Sequence, residues 1–248
     1  MSTPSTPHKF AAVFGSPGLR IRISGFYRVF WPFLLVVFVT GCLLGWLFPL
    51  PLGFPKFPLV LFMLALALGS YYALNMAGIR FNSFLKGAKG EEITARELTF
   101  LGPGWDIFHS VPVAARDASR VGPDFDHIVV GPDSIFLVET KNWEGVVKVE
   151  KGIPRQNGTV VKRSPVVQVR REARVLSRML EQSLPPDFNI VKIVCFASNN
   201  LEGEEAVADD VLLCNVRSLR STIMESPPGA LTDSYRKLVI ETLARKAP

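Results

Sequence analysis

The hydropathic period of the chain changes near residue 86. Before it lie two long apolar runs. After it, apolar positions alternate or recur every three to four residues. The first run, WPFLLVVFVTGCLLGWLFPL over 31–50, carries no charge across about 20 positions, the length that roughly 30 Å of hydrocarbon requires. The second, FPLVLFMLALALGSYYALNMAG, begins at Phe57, and Pro49 to Lys56 forms a Pro/Gly-rich turn between them. This pattern predicts a two-helix transmembrane hairpin over 31–77, with Trp31, Trp46, Tyr71 and Tyr72 near the interfaces. A cleaved signal peptide fits less well. The first apolar core is too long, no small-residue cleavage site comes after it, and a second span does.

Beyond Lys86 the pattern is that of a folded domain. GEEITARELTFLG places Ile93, Leu98 and Leu101 on a helical stripe ended by Gly102-Pro103-Gly104. WDIFHSVPV reads as a strand and ARDASRVGP as a loop. DFDHIVV and IFLVETK read as two strands of a hairpin, and GVVKVEKG as a further strand. KGIPRQNGTVVKRSP reads as a basic loop leading into a helix from Pro165 to about Gln182. NIVKIVCFAS and DDVLLCNV are apolar strands, and two more helices are expected near Ser218–Glu225 and Thr232–Lys246. The expected class is α/β, a mixed sheet flanked by helices. The expected division is a basic segment over 1–30, the hairpin over 31–77, a domain over 86–225 and a C-terminal helix over 226–248.

Charge alters this picture in one respect. The net charge is +6, yet residues 1–80 contain six Lys/Arg and no Asp/Glu, so the remaining 22 Lys/Arg and 22 Asp/Glu balance. The basicity therefore reports topology and anionic lipid first. Lys9, Arg20, Arg22 and Arg28 before the first span, with Arg80, Lys86 and Lys89 after the second, put both termini in the cytoplasm by the positive-inside tendency. The expected location is the inner cell membrane. Gly41 and Gly45 form a GxxxG in the first span, compatible with homodimer pairing. Three cysteines without ligand spacing read as buried, reduced thiols.

Candidate chemistry lies in the hairpin DFDHIVVGPDSIFLVETKNWEG. A loop centred on Pro132-Asp133, built on a type I turn, puts residues equidistant from that centre opposite one another. Asp126 then faces Glu139 across the strands, and Lys141 projects from the same side as Glu139. Two carboxylates between apolar strands repel each other. Lys141 neutralises one in a plain ion pair, or a hard divalent cation offsets the excess; both readings stay open. His127 alternates away from Asp126 and reads as structural. His109 has no partner at ligand spacing.

GEE at Gly90–Glu92, DHIVV at Asp126–Val130, FLVETKNWEG at Phe136–Gly145 and SPVVQ at Ser164–Gln168 together resemble the nuclease-related domain (NERD) family. That family is grouped with the PD-(D/E)XK, restriction-endonuclease-like superfamily. The resemblance covers roughly Lys86 to Glu225 and implies that fold. It also implies that Asp126 and Glu139 hold metal, that Lys141 orients or activates water, that Glu91 is the additional acidic residue, and that Gln168 supports the site. The cofactor implied is Mg²⁺ or Mn²⁺, with the Thr140 backbone carbonyl as a further ligand. The partner implied is nucleic acid, DNA before RNA. Arg170, Arg174 and Arg178, spaced four apart, form with Arg171, Lys162 and Arg163 a basic surface for phosphate; the rival is a solvated or lipid-facing helix face. The expectation is a membrane-anchored, cytoplasmic-facing nuclease. The alternative is an inactive module that tethers nucleic acid or protein to the membrane.

Overall fold

Period-two alternation over short segments builds a seven-stranded sheet, and amphipathic helices cover both its faces. The computed structural model describes residues 10–18, 30–42, 45, 56–113, 124–185 and 188–247. In chain order its elements are β1 (Ala12–Phe14), α1 (Lys56–Thr99), β2 (Asp106–Pro112), β3 (Asp124–Val130), β4 (Ile135–Lys141), β5 (Val147–Glu150), β6 (Ile153–Gln156) and β7 (Thr159–Val160). Then come α2 (Pro165–Met179), β8 (Val191–Phe196), β9 (Glu205–Ala208), β10 (Val211–Asn215), α3 (Leu219–Met224) and α4 (Asp233–Ala244). The main sheet runs β1-β2-β3-β4-β8-β10-β9. It is mixed: β2-β3-β4 is an antiparallel meander, whereas β4, β8 and β10 run parallel.

Alternation along β4 shows how the sheet is packed. Ile135 and Leu137 join one core with Val166, Val169, Ala173 and Leu176 of α2 and with Val239 and Leu243 of α4. Phe136 and Val138 join the other, with Leu98 of α1 and with Leu219 and Ile223 of α3. Phe108, Phe125, Phe136 and Phe196 are fully buried, each contributing about 1.5–3 kcal/mol of burial. Cys195 and Cys214 are buried free thiols paired across β8 and β10; Cys42 is exposed, contrary to expectation.

The hairpin register is the expected one. His127 pairs with Val138, Ile128 with Leu137, Val129 with Phe136 and Val130 with Ile135, and the Gly131 amide donates to the Ser134 carbonyl at 2.8 Å. The loop is therefore centred on Pro132-Asp133. Two segments differ from expectation. The basic loop is a three-stranded sheet, β5-β6-β7, turned at Lys151-Gly152 and Asn157-Gly158. All four of those residues have positive φ, as type I′ turns require. The N-terminal segment is not separate either, since β1 pairs in parallel with β2.

The chain divides into two compact units, Met1–Leu19 with Gly87–Pro248, and Arg20–Lys86. In the second, residues 30–42 are helical, as is the first part of α1, and Phe30 meets Phe81 edge-on at 6.2 Å. The expected transmembrane hairpin is not found: among the described residues no helix is long and apolar enough to cross a membrane. The unbroken apolar run from Phe57 to Leu68 makes about 18 Å of helix. Gly69, Ser70, Tyr71, Tyr72 and Asn75 dilute the next two turns. Part of the first span, most of the turn after it, and Lys9, Arg20, Arg22 and Arg28 lie outside the described residues, as does the whole ARDASRVGP loop.

Candidate active site

The end of β4 gathers the predicted polar side chains. The β3–β4 ladder runs as far as His127–Val138, and the next pair in register is Asp126 and Glu139. Here the Asp126 side chain takes over, its Oδ2 accepting a hydrogen bond from the Thr140 amide at 2.8 Å. Two residues along β4, Lys141 Nζ donates to Glu139 Oε1 at 2.5 Å and to Gln168 Oε1 of α2 at 3.1 Å. Gln168 Nε2 donates to the same Glu139 oxygen at 2.7 Å. Glu139 is only 3% exposed.

Glu91 reaches the cluster from α1. Its neighbour Gly90 explains the GEE motif, because a Cβ there would stand 2.7 Å from the Asn142 Cβ and force the helix off the end of β4. Glu91 is buried, and its Oε2 accepts from the Gly18 amide at 2.9 Å. Burial lifts its carboxyl to about 7; the Gly18 bond opposes this, and the charges of Glu139 and Asp124 add to it. Burial first, then Glu139 and Glu91, hold Asp126 well above the ordinary carboxylate range. Burial works to lower the Lys141 ammonium, but Glu139 and Asp126 outweigh it and keep it raised.

Glu172 is a member that the sequence pattern did not single out. It lies one turn beyond Gln168 on α2 and accepts from Gln168 Nε2 at 2.9 Å. Burial, then the nearby charge of Glu139, raises it to about 8. Its spacing of four from Gln168 was the available signal.

Behind Thr140 the sheet buries a second polar group. His109 and His127 sit opposite each other on β2 and β3 with their Nδ1 atoms 2.7 Å apart, and His127 Nε2 lies 3.2 Å from Thr140 Oγ1. His109 thus has a partner after all. Burial lowers His109 to about 4, and burial with His109 lowers His127 further, so both rings are neutral.

The basic surface is smaller than the residue count implied. Arg170 is bound to Asp209 at 2.8 Å and Asp210 at 2.5 Å, on the hairpin between β9 and β10. Lys148 pairs with Glu202 and Arg155 with Glu150. Arg171, Arg174, Arg178, Lys162 and Arg163 are exposed. Arg171 is three residues from Gln168, a spacing that makes the two neighbours on the surface of α2.

Among the described residues no three acidic, histidine or cysteine side chains converge on one point as a ready cation cage. The donor set nonetheless suits a hard cation. Glu139 Oε2 and Glu172 Oε2 are buried without a hydrogen-bond partner, and Mg²⁺ takes one or two carboxylates with water and phosphate completing its shell.

A mixed sheet flanked by helices, with acidic groups and one lysine at the end of its central hairpin, makes this a mixed α/β domain. Consistent with this, a nuclease-related domain (NERD) is found at residues 86–197. The chain is also similar to a Bacillus anthracis protein described as uncharacterized, 32% identical over 108 residues, which are 40% of this chain and 49% of the relative. The match thus spans about half the length of that relative. No solved structure matches.

Proposed function

We propose that the domain hydrolyses phosphodiester bonds of nucleic acid, DNA before RNA, with Mg²⁺ or Mn²⁺ bound at Asp126 and Glu139. The observation that carries this reading is the buried, unpartnered Glu139 Oε2 beside a lysine and three further acidic residues, Glu91, Asp126 and Glu172. One lysine cannot neutralise that set, so the site calls for added positive charge. A bound divalent ion would polarise the phosphoryl oxygens and acidify water.

The chain's own groups then have separable tasks. Asp126, fixed by the Thr140 amide, and Glu139, fixed by Lys141 and Gln168, would hold the ion, with the Thr140 carbonyl as a further ligand. Lys141 presents a charged N–H donor to the attacking water or to the negative charge developing on phosphate. Gln168 holds Lys141 and Glu139 in register through one amide. Glu91 supplies the additional negative charge from α1. Arg171, Arg174, Arg178, Lys162 and Arg163 contact the backbone of the substrate.

The same reading puts the protein at the inner cell membrane with its termini in the cytoplasm. Its support is the apolar surface of the Arg20–Lys86 unit, where Trp31, Phe38, Leu68 and Tyr71 are 61–71% exposed. Among the described residues a Cβ at Gly41 or Gly45 would meet nothing within 4 Å, which suits close pairing with a second copy. The test of activity is cleavage of labelled DNA and RNA by the full chain with Mg²⁺, with EDTA, and after Glu139→Ala. Cleavage that needs Mg²⁺ and Glu139 supports the assignment, and equal cleavage by both proteins rejects it.

A further inference from the structure

Lys192 is a charged residue on an apolar face. Val194 and Phe196 of β8 join the core beneath α2, and period two puts Lys192 on that same side. Its side chain is 11% exposed, a setting in which an ammonium needs a counter-charge. That charge comes from the turn between β9 and β10. Asp210 Oδ2 accepts from Lys192 Nζ at 2.9 Å, and its Oδ1 accepts from Arg170 Nε of α2 at 2.5 Å. One carboxylate therefore bridges two cations, and Lys192, then Arg170, hold it below its ordinary titration range. The cations are fixed on a strand and a helix of the core, whereas the carboxylates lie on a surface turn. Asp210 is 56% exposed, and Asp209, which binds Arg170 from the same turn, has a φ of 56° that glycine would adopt at less cost. Beside this bridge lies a cavity of about 300 Å³, with Arg170, Arg174, Lys192 and Asp210 in its lining and Phe188 and Ile190 as an apolar wall. Three cations against two carboxylates leave it a net positive charge.

We propose that this cavity binds the phosphate of a small phosphomonoester, whose oxygens replace the Asp210 carboxylate on Arg170 and Lys192 while its organic part lies against Phe188 and Ile190. A dianionic phosphate brings more charge and more acceptor oxygens than the carboxylate it displaces, and a guanidinium beside an ammonium suits it. The site is separate from the carboxylate cluster. Lys192 lies four residues, about 13 Å of strand, before Phe196, which is the partner of Lys141 in the sheet. It does not depend on a metal at Asp126 and Glu139.

The experiment is calorimetric titration of the metal-free full chain with inorganic phosphate, with a nucleoside 5′-monophosphate and with the same nucleoside lacking phosphate. Wild type is expected to bind the monophosphate more tightly than inorganic phosphate and to leave the nucleoside unbound. Asp210→Asn, which keeps the shape of the side chain but removes the competing charge, should tighten both phosphates about tenfold, and Lys192→Gln should weaken them by about as much. Lys192→Arg, which keeps the charge, should retain binding. Melting followed by circular dichroism verifies each fold, and Arg170→Gln serves as the weakened variant where Lys192→Gln does not fold. No phosphate bound by wild type, a nucleoside bound as tightly as its monophosphate, or an affinity that the Lys192 and Arg170 variants leave unchanged would overturn the proposal and leave Arg170, Lys192 and Asp210 as an ion-pair network of the fold.

Discussion

Strands β3 and β4 bury two polar groups at neighbouring positions, and the two differ in completeness. His127 and Thr140 face one way and close a hydrogen-bonded chain with His109, in which no buried atom lacks a partner. Asp126 and Glu139, one residue away on each strand, belong to a cluster that leaves buried carboxylate oxygens unpaired. Both groups have strongly shifted titrations, so a shifted titration does not by itself separate structure from function. Satisfaction is a second difference: the histidine chain has its partners, whereas the carboxylate cluster keeps buried oxygens that a proton, water or a ligand would have to satisfy.

The largest effect should come from removing the unsatisfied group. Glu139→Gln is expected to lower Mg²⁺-dependent cleavage about 1,000-fold or more, in line with the loss of a principal charge-stabilising element. Breaking the satisfied group should act on stability instead. His127→Ala is expected to cost about 2–4 kcal/mol by leaving a cavity and an unpaired His109, as measured by denaturant unfolding.

The two groups should also oppose each other in pH. Glu91 and Glu172 rise from 4.5 to about 7 and about 8 on folding, so their stabilising contribution is complete at low pH and is lost as pH climbs from 4.5 to about 8. His109 falls from 6.5 to about 4, so its contribution is complete above 6.5 and is lost as pH drops toward 4. Melting temperature without divalent ions should therefore decline in both directions, by several degrees each way. Saturating Mg²⁺ should flatten the alkaline side only. The smallest effect separates two arginines on α2. Arg171→Ala should weaken nucleic acid binding and reduce the salt slope by about 1, whereas Arg170→Ala, whose side chain is bound to Asp209 and Asp210, should leave that slope unchanged.

Much of the site was legible because β-hairpin geometry is local. Pro132-Asp133 fixes the turn, and period two then puts Asp126 and Glu139 together with Lys141 beside them. Glu172 was hidden by its setting, a run of arginines that reads as a solvated face until helical phase ties it to Gln168. The neutralisation of Arg170 depends on Asp209 and Asp210, some 40 residues on, which no local pattern reveals. Asn157-Gly158 did carry a hairpin signal, obscured by the basic residues around it. Strand β1 has three residues and β9 four, too few for alternation to show. In the apolar half, composition suggested two spans, whereas among the described residues no helix is long and apolar enough to cross a membrane.

The most direct measurement is cleavage of a labelled DNA or RNA strand by the full chain beside Glu139→Gln, with matched folding and with Mg²⁺ added or chelated. Cleavage is expected only from the wild-type chain and only with Mg²⁺. Cleavage by both proteins, or by neither in the presence of saturating Mg²⁺, would contradict it.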